Sequence, residues 1–242
     1  MLQKILTTAS CVLITGLLLA ACGGATAPPL PTPAPAAPAP TAAPPAPAVI
    51  EPAAAGQTFV IDPAQTTASY IVAEEFFGGA LGQLGIQPGL VNTIGRTQEV
   101  NGQLQLDLSN PAAPGASGQF TVDLRTLASD QPRRDNRIRE ANLESNRFPL
   151  AEFTLTSLEN TPASYTEGEE VAFTANGNLT IRDITRPVAF EVTARRQGNL
   201  ITGVAVTQLK MTGFGFDPPN FANLFSVTND FTVQVEFTFT AQ

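Results

Sequence analysis

From Phe231 to Thr240 the chain alternates without a break. Phe231, Val233, Val235, Phe237 and Phe239 fall on one side, and Thr232, Gln234, Glu236, Thr238 and Thr240 on the other. Successive side chains of an extended strand point to opposite faces, so this segment demands a dry side and a wet side and belongs in a half-buried sheet. The dry side is unusually free of polar atoms. Phenylalanine supplies 15 aromatic residues against two tyrosines and no tryptophan, and its ring carries nothing that needs a hydrogen bond.

The same extended reading applies to most of the chain after residue 56. Strands are expected at Thr58–Asp62, Thr66–Glu74, Thr97–Leu108, Gly118–Leu124, Glu152–Leu158, Val171–Arg182, Val188–Arg195, Leu200–Leu209 and Phe231–Ala241. Turn-forming segments such as Ser109-Asn110-Pro111 and Gln197-Gly198-Asn199 separate them. One stretch reads as helix. Ser129 and Asp130 offer acceptors to the free N–H groups of a first turn, Pro132 tolerates the start, and a helix is expected to begin near Gln131. Asp135 and Arg139 stand at i, i+4, where opposite charges support each other. Ile138, Ala141 and Leu143 form too narrow an apolar stripe for a core helix, which places this one across a rim with its arginines in water. Pro149 then drives Phe148 out of helical geometry, and alternation resumes at Ala151, Phe153 and Leu155. Many strands around a single helix imply an all-β antiparallel barrel or sandwich.

Two stretches interrupt the pattern. Phe76–Ile86 is apolar but rich in glycine, and Phe214–Phe221 is a loop with three phenylalanines. Apolar loops either fold back over a core or face a lipid or ligand, and both readings stay open at this stage.

The residues also exclude whole classes of chemistry. With no histidine in the chain, a Ser-His-Asp triad cannot be built and the commonest transition-metal ligand is missing. Glu74 and Glu75 are neighbours on a strand, so they point to opposite faces and are expected to be solvent contacts rather than a catalytic pair. No enzymatic activity is expected, and neither a cofactor nor a metal is implied.

The first 21 residues carry Lys4 and an apolar run from Cys11 to Ala21, too short to span a bilayer and of the length of a signal-peptide core. The run ends in Leu19-Ala20-Ala21-Cys22-Gly23, which resembles a bacterial lipobox. By that resemblance residues 1–21 are a leader, and Cys22 is acylated and becomes the N-terminus. The protein is then expected outside the cytoplasm, held on a membrane through two acyl chains. Cys11 leaves with the leader, so no disulfide is expected. Residues 22–56 form a linker: Ala25 to Ala55 holds eleven prolines and thirteen alanines in 31 residues, a composition that favours extended polyproline II. Of 13 basic residues Lys4 leaves with the leader, so 21 acidic side chains face 12 basic ones, and nucleic acid is not the expected partner. Residues 57–242 are expected to be one domain.

Within that domain, Arg134-Asp135, Leu143-Glu144, Phe148-Pro149 and Phe153 are followed by Gly177-Asn178-Leu179-Thr180-Ile181-Arg182-Asp183-Ile184-Thr185-Arg186-Pro187-Val188. In order and spacing these motifs resemble the YceI-like family, and the likeness extends from Phe59-Val60-Ile61-Asp62 to Phe214-Gly215-Phe216. The resemblance implies an extended antiparallel lipocalin-like β-barrel with a polyisoprenoid or related amphiphilic lipid, such as an isoprenoid quinone-like molecule, in its interior. Where many members carry a histidine after the Arg-Asp pair, this chain has Arg137. The ligand candidates that follow are Tyr70, Phe76, Phe77, Phe120, Phe153, Phe173, Phe190, Phe214, Phe216 and Phe237, with Arg134 and Arg137 for a head group. Arg133, Arg139 and Arg147 add to the same concentration of positive charge. A barrel of about eight strands can equally be filled by its own side chains, which leaves a second expectation: a stalked surface module without a ligand. Homodimer formation is left open.

Overall fold

The structure, a computed structural model, describes residues 56–78, 87–111, 114–221 and 224–242. The leader, Cys22, the linker through Ala55 and residues 79–86 of the apolar insertion lie outside the described residues.

Eight antiparallel strands close into a barrel: β1 (Gln57–Ile61), β4 (Val100–Leu106), β5 (Ser117–Asp123), β6 (Leu150–Glu159), β7 (Glu170–Ile181), β8 (Ile184–Gln197), β9 (Leu200–Lys210) and β11 (Phe225–Ala241). The seam joins Phe59 to Ala241 and Ile61 to Phe239. Behind it the fully buried Thr66 hydroxyl accepts the Thr238 N–H at 3.1 Å. Closure removes the exposed edges that an open sheet of this size would leave. This is the expected lipocalin-like barrel with one short helix.

β11 is longer than the barrel needs. Its last residues pair with β1, while Phe225–Glu236 pair with β2 (Thr67–Phe76). β2 and β3 (Gly89–Thr97) therefore form a hairpin that leaves the barrel wall and extends it past one rim. The two-residue β10 (Asn220–Phe221) folds back onto the start of β11.

The strand expected over Thr97–Leu108 is β4, which starts three residues later, and a further strand, β3, precedes it where none was expected. β3 ends at Thr97, and after Gln98-Glu99 β4 starts at Val100 on the opposite side of the seam. Glycines at 89 and 95 obscure β3 in the sequence, because they interrupt its apolar pattern. Likewise the strand expected from Phe231 begins earlier, at Phe225, and Thr228-Asn229-Asp230 forms a register shift inside one continuous β11. β-Bulges allow such a strand to bend without ending.

The helix α1 (Pro132–Arg137) begins one residue after Gln131 and widens into a π turn over Ile138–Asn142. Its start is not held as expected: no side chain caps the first turn. Asp130 binds Arg134 instead, and the Ser129 hydroxyl donates to Asp135 at 2.6 Å. The buried Asp135 also accepts the Ser129 N–H at 3.0 Å, so it turns away from Arg139. Arg139 is taken by the Leu127 carbonyl and the Asn136 side chain. Burial decides this, because a buried carboxylate needs every donor within reach and an exposed ion pair gains little.

The hairpin between β7 and β8 fastens the rim. Arg182 takes up the left-handed conformation at its turn, with φ 61°. Its guanidinium binds the Glu144 carboxylate and donates to the Gly215 carbonyl at 2.9 Å. Arg186 donates to the Gly213 carbonyl at 3.0 Å. Two arginines of the recognisable motif thus tie the loop after β9 and the end of the helical segment to the barrel.

Candidate ligand-binding site

The inward face of β11 organises the interior. Phe225, Val227 and Phe231 line one cavity, and Val233, Val235, Phe237 and Phe239 line another. The two follow one another along the barrel axis, and the boundary falls between Phe231 and Val233. At about 3.3 Å per residue, the face from Phe225 to Phe239 runs for roughly 45 Å.

The first cavity is the barrel lumen, about 230 Å³. Its wall is aliphatic and aromatic, with Leu104, Val122, Leu155, Val192 and Ala205 between the rings of Phe120, Phe153, Phe173, Phe190 and Phe237. These five phenylalanines are half of the ten ligand candidates read from the sequence. What keeps the lumen open is where the rings rest. Phe120 stands opposite Gly102 in its ladder and Phe237 opposite Gly203, and a Cβ on either glycine would fall 2.4 and 2.7 Å from the ring. Each ring occupies the place of a missing side chain on the neighbouring strand and lies back against the wall. Edge-to-face contacts such as Phe153 to Phe190, 5.1 Å between centroids, lock the arrangement. Pro111, Pro162 and Tyr165 line the far end. The Tyr165 hydroxyl accepts the Arg196 N–H at 2.7 Å, which pins that loop to the end of β8.

The second cavity, about 340 Å³, lies under the helix at the other rim. β2 contributes Tyr70, Val72, Glu74 and Phe76; the helical segment contributes Arg133, Arg134, Arg137, Ile138 and Asn142; the apolar loop contributes Phe216 and Phe221. Here the apolar loop folds back over the interior. Phe214, at 2 % exposure, is core packing and lines neither cavity, while Phe221 stacks on Phe225 at 4.8 Å. Phe77 is half-buried and also lies outside both cavities.

The rim cavity carries the polar chemistry. Glu74, expected in solvent, is 5 % exposed. It shares the inward alternation of Tyr70, Val72 and Phe76, and only its neighbour Glu75 faces water. A carboxylate there needs a partner, and Arg134 supplies one through two parallel bonds, Nε to Oε1 at 3.0 Å and Nη2 to Oε2 at 3.1 Å. Arg134 also donates to Asp130 at 2.5 Å and to the Ser129 hydroxyl at 3.2 Å. Burial works against the Arg134 charge, but the hydrogen bonds and charges of Glu74 and Asp130 outweigh it and raise its pKa above the ordinary value. Arg137 lies over the Phe221 ring, 4.5 Å from its centroid, and faces solvent.

Tyr70 sits at the junction of the two cavities, paired with Val233 of the lumen on one side and Gly95 on the other. Its hydroxyl is buried beside Ser129, and burial pushes the phenol up to about 12. Asn142 lines the same cavity, with its Oδ1 buried and without a partner. Glu74 and Asn142 were not legible as site residues. The alternation of β2, carried through Glu74 to Phe76, was the available signal for the first, and none existed for the second.

Against known families, residues 59–239 match the YceI-like domain. A UPF0312 protein of Shewanella baltica is 28% identical over 147 residues, covering 60% of this chain and 72% of that one. Protein YceI of Salmonella newport is 31% identical over 106 residues, 43% of this chain and 50% of its own length. Among solved structures, BcnA of Burkholderia cenocepacia superposes with a TM-score of 0.55 at 19% identity, over 74% of this chain and 98% of that one. A polyisoprenoid binding domain from Saccharophagus degradans implicated in plant cell wall breakdown gives 0.54 at 12% identity, over 77% and 99%.

Proposed function

From the premise that this chain belongs to the YceI-like family, we propose that it binds a long, slender amphiphilic lipid of the polyisoprenoid type, with the tail in the lumen and the head in the rim cavity. One observation carries the reading: the two cavities lie end to end along one inward strand face, the inner one apolar and the outer one furnished with polar groups. Burial of the tail supplies the affinity, at roughly 25 cal/mol per Å² of apolar surface removed from water. The polyisoprenoid-binding domain of Saccharophagus degradans shares the fold and supports the choice of ligand class. Phe120, Phe153, Phe173, Phe190 and Phe237 hold the tail; Tyr70, Phe76 and Phe216 line the head-group end. The lipobox-like Leu19-Ala20-Ala21-Cys22 and the Pro/Ala-rich stretch behind it support an extracytoplasmic protein tethered to its membrane through acylated Cys22.

The test is native mass spectrometry of the purified protein, followed by lipid extraction, with an unrelated protein purified alongside. A stoichiometric adduct that is lost on denaturation and extracts as an isoprenoid lipid is the expected result. A stable, empty protein that refuses added isoprenoids would overturn the reading and favour the stalked interaction module.

A further inference from the structure

We propose that the loop between β6 and β7 closes the far end of the lumen and sets the longest lipid tail the barrel can hold, with Tyr165 as the residue that fixes the limit. This deepens the lipid-binding reading and rests on it. Strands line a barrel from the side, so most of the lumen wall says nothing about how long the space is. Four of the lining residues come from loops instead: Pro111 follows β4, and Thr161, Pro162 and Tyr165 follow β6. A loop residue that reaches the interior has to lie across an end. Both loops stand at the end where β1 begins and where β4 and β11 stop, with Gln57 paired to Leu106 and Phe59 to Ala241. The rim cavity and the helix occupy the other end, beside the start of β11. Proline suits the position, because a residue without an N–H brings one polar group fewer to an apolar cavity.

The loop is also fastened. The Tyr165 hydroxyl accepts the N–H of Arg196 at 2.7 Å and that of Gly168 at 3.2 Å, and the Arg196 carbonyl stands 3.0 Å away to take its proton. Two residues on, the Glu167 carboxylate accepts the Gly198 N–H at 2.5 Å. The loop is therefore tied both to the end of β8 and to the turn that follows, and it resists a tail pressing from inside. Ala194 gives the lumen its last depth before this stop. It is the buried inward residue of β8 that comes after Phe190 and Val192 and two residues before Arg196. Burial of each further CH₂ is worth about fourfold in affinity. Affinity thus climbs with tail length while added carbons find apolar wall, and a tail that has reached the loop gains nothing from another unit.

The experiment offers the purified protein an equimolar mixture of farnesol, geranylgeraniol, solanesol and undecaprenol, in order of increasing length, and reads the bound species by native mass spectrometry. Wild type and variants meet the same mixture, so the solubilities of the lipids cancel in the comparison. Tyr165→Ala takes away both the side chain at the lumen end and the fastening, and should shift the ratio of longer to shorter bound prenols by about tenfold or more. Tyr165→Phe keeps the ring and loses only the hydroxyl; it should shift the ratio the same way by less, and serves if Tyr165→Ala does not fold. Ala194→Leu fills the last depth and should shift the ratio toward shorter tails. An unchanged ratio in a folded Tyr165 variant overturns the proposal, and so does an Ala194→Leu protein that holds the same lengths as wild type. If none of the prenols binds the wild-type protein, the lipid-binding reading itself fails and takes this proposal with it.

Discussion

Substitution of Gly95 by alanine isolates one steric contact and tests the seating of Tyr70. Gly95 is buried on β3, opposite Tyr70 on β2. An added methyl would stand 2.2 Å from Cε1, 2.5 Å from Cζ and 2.7 Å from the hydroxyl oxygen of that ring. Carbon atoms rest about 3.5–4.0 Å apart, so the ring must retreat by roughly 1.3–1.8 Å, and the cavity is the open direction. Forced repacking of this kind costs about 1–3 kcal/mol. Removing a glycine from a strand returns about 0.5–1 kcal/mol, since alanine loses less backbone freedom on folding. The net expectation is a loss of about 1–2 kcal/mol, or about 2–8 °C in Tm for a domain of this size. The decisive assay is a double-mutant cycle in urea. Leucine lacks all three atoms in conflict, so in a Tyr70→Leu background Gly95→Ala should change sign and stabilise by about 0.5 kcal/mol. An equal cost in both backgrounds would refute the steric argument.

Other expectations rest on the polar contacts. Arg134→Ala leaves Glu74 buried without its partner and should cost about 3 kcal/mol by urea denaturation. Replacing both by methionine should cost far less, because it is the stranded charge that is expensive. The raised Tyr70 pKa means that the folded state keeps the phenol protonated where the unfolded chain has released it. Its contribution is therefore complete below pH 10 and lost as pH rises from about 10 to about 12. Unfolding curves across that window should flatten in Tyr70→Phe, and the last phenolate absorbance to appear in the wild type should be missing from it. Arg182→Ala removes both the Glu144 pair and the bond to the Gly215 carbonyl, and should cost about 2 kcal/mol. Hydrogen exchange should speed up first around Met211–Gly215, and lysine at 182 should restore little, since it cannot bridge the two acceptors with one planar group.

The barrel could be read from the sequence because its causes are local and periodic. The alternation of Phe231–Thr240 specifies a two-faced strand wherever that strand ends up, and fifteen phenylalanines can only be accommodated in a dry interior. Phe120, Phe153, Phe173, Phe190 and Phe237, candidates that followed from the family resemblance, all line the lumen. The period-of-two logic failed where glycine or polar residues lay within a strand. β3 and the start of β11 were missed, because a register shift or a glycine facing a ring resembles a turn in one dimension. It also failed for Glu74. A charged residue reads as solvent-facing until the partner that neutralises it, sixty residues away on the helix, is seen beside it.

Sequence alone determined what was inward and what was outward, because side-chain direction follows from strand geometry and hydrophobicity from composition. Whether the inside was hollow was a matter for the tertiary structure. Phe120 and Phe237 would fill an eight-stranded barrel if they stood upright, and they lie flat because the strands beside them present Gly102 and Gly203 at the matching ladder positions. That register depends on how β4 meets β5 and how β9 meets β11, which no single strand encodes. The burial of the Tyr70 hydroxyl is likewise a property of assembly: a tyrosine is polar or apolar according to what surrounds its oxygen, and only the closed fold decides what that is.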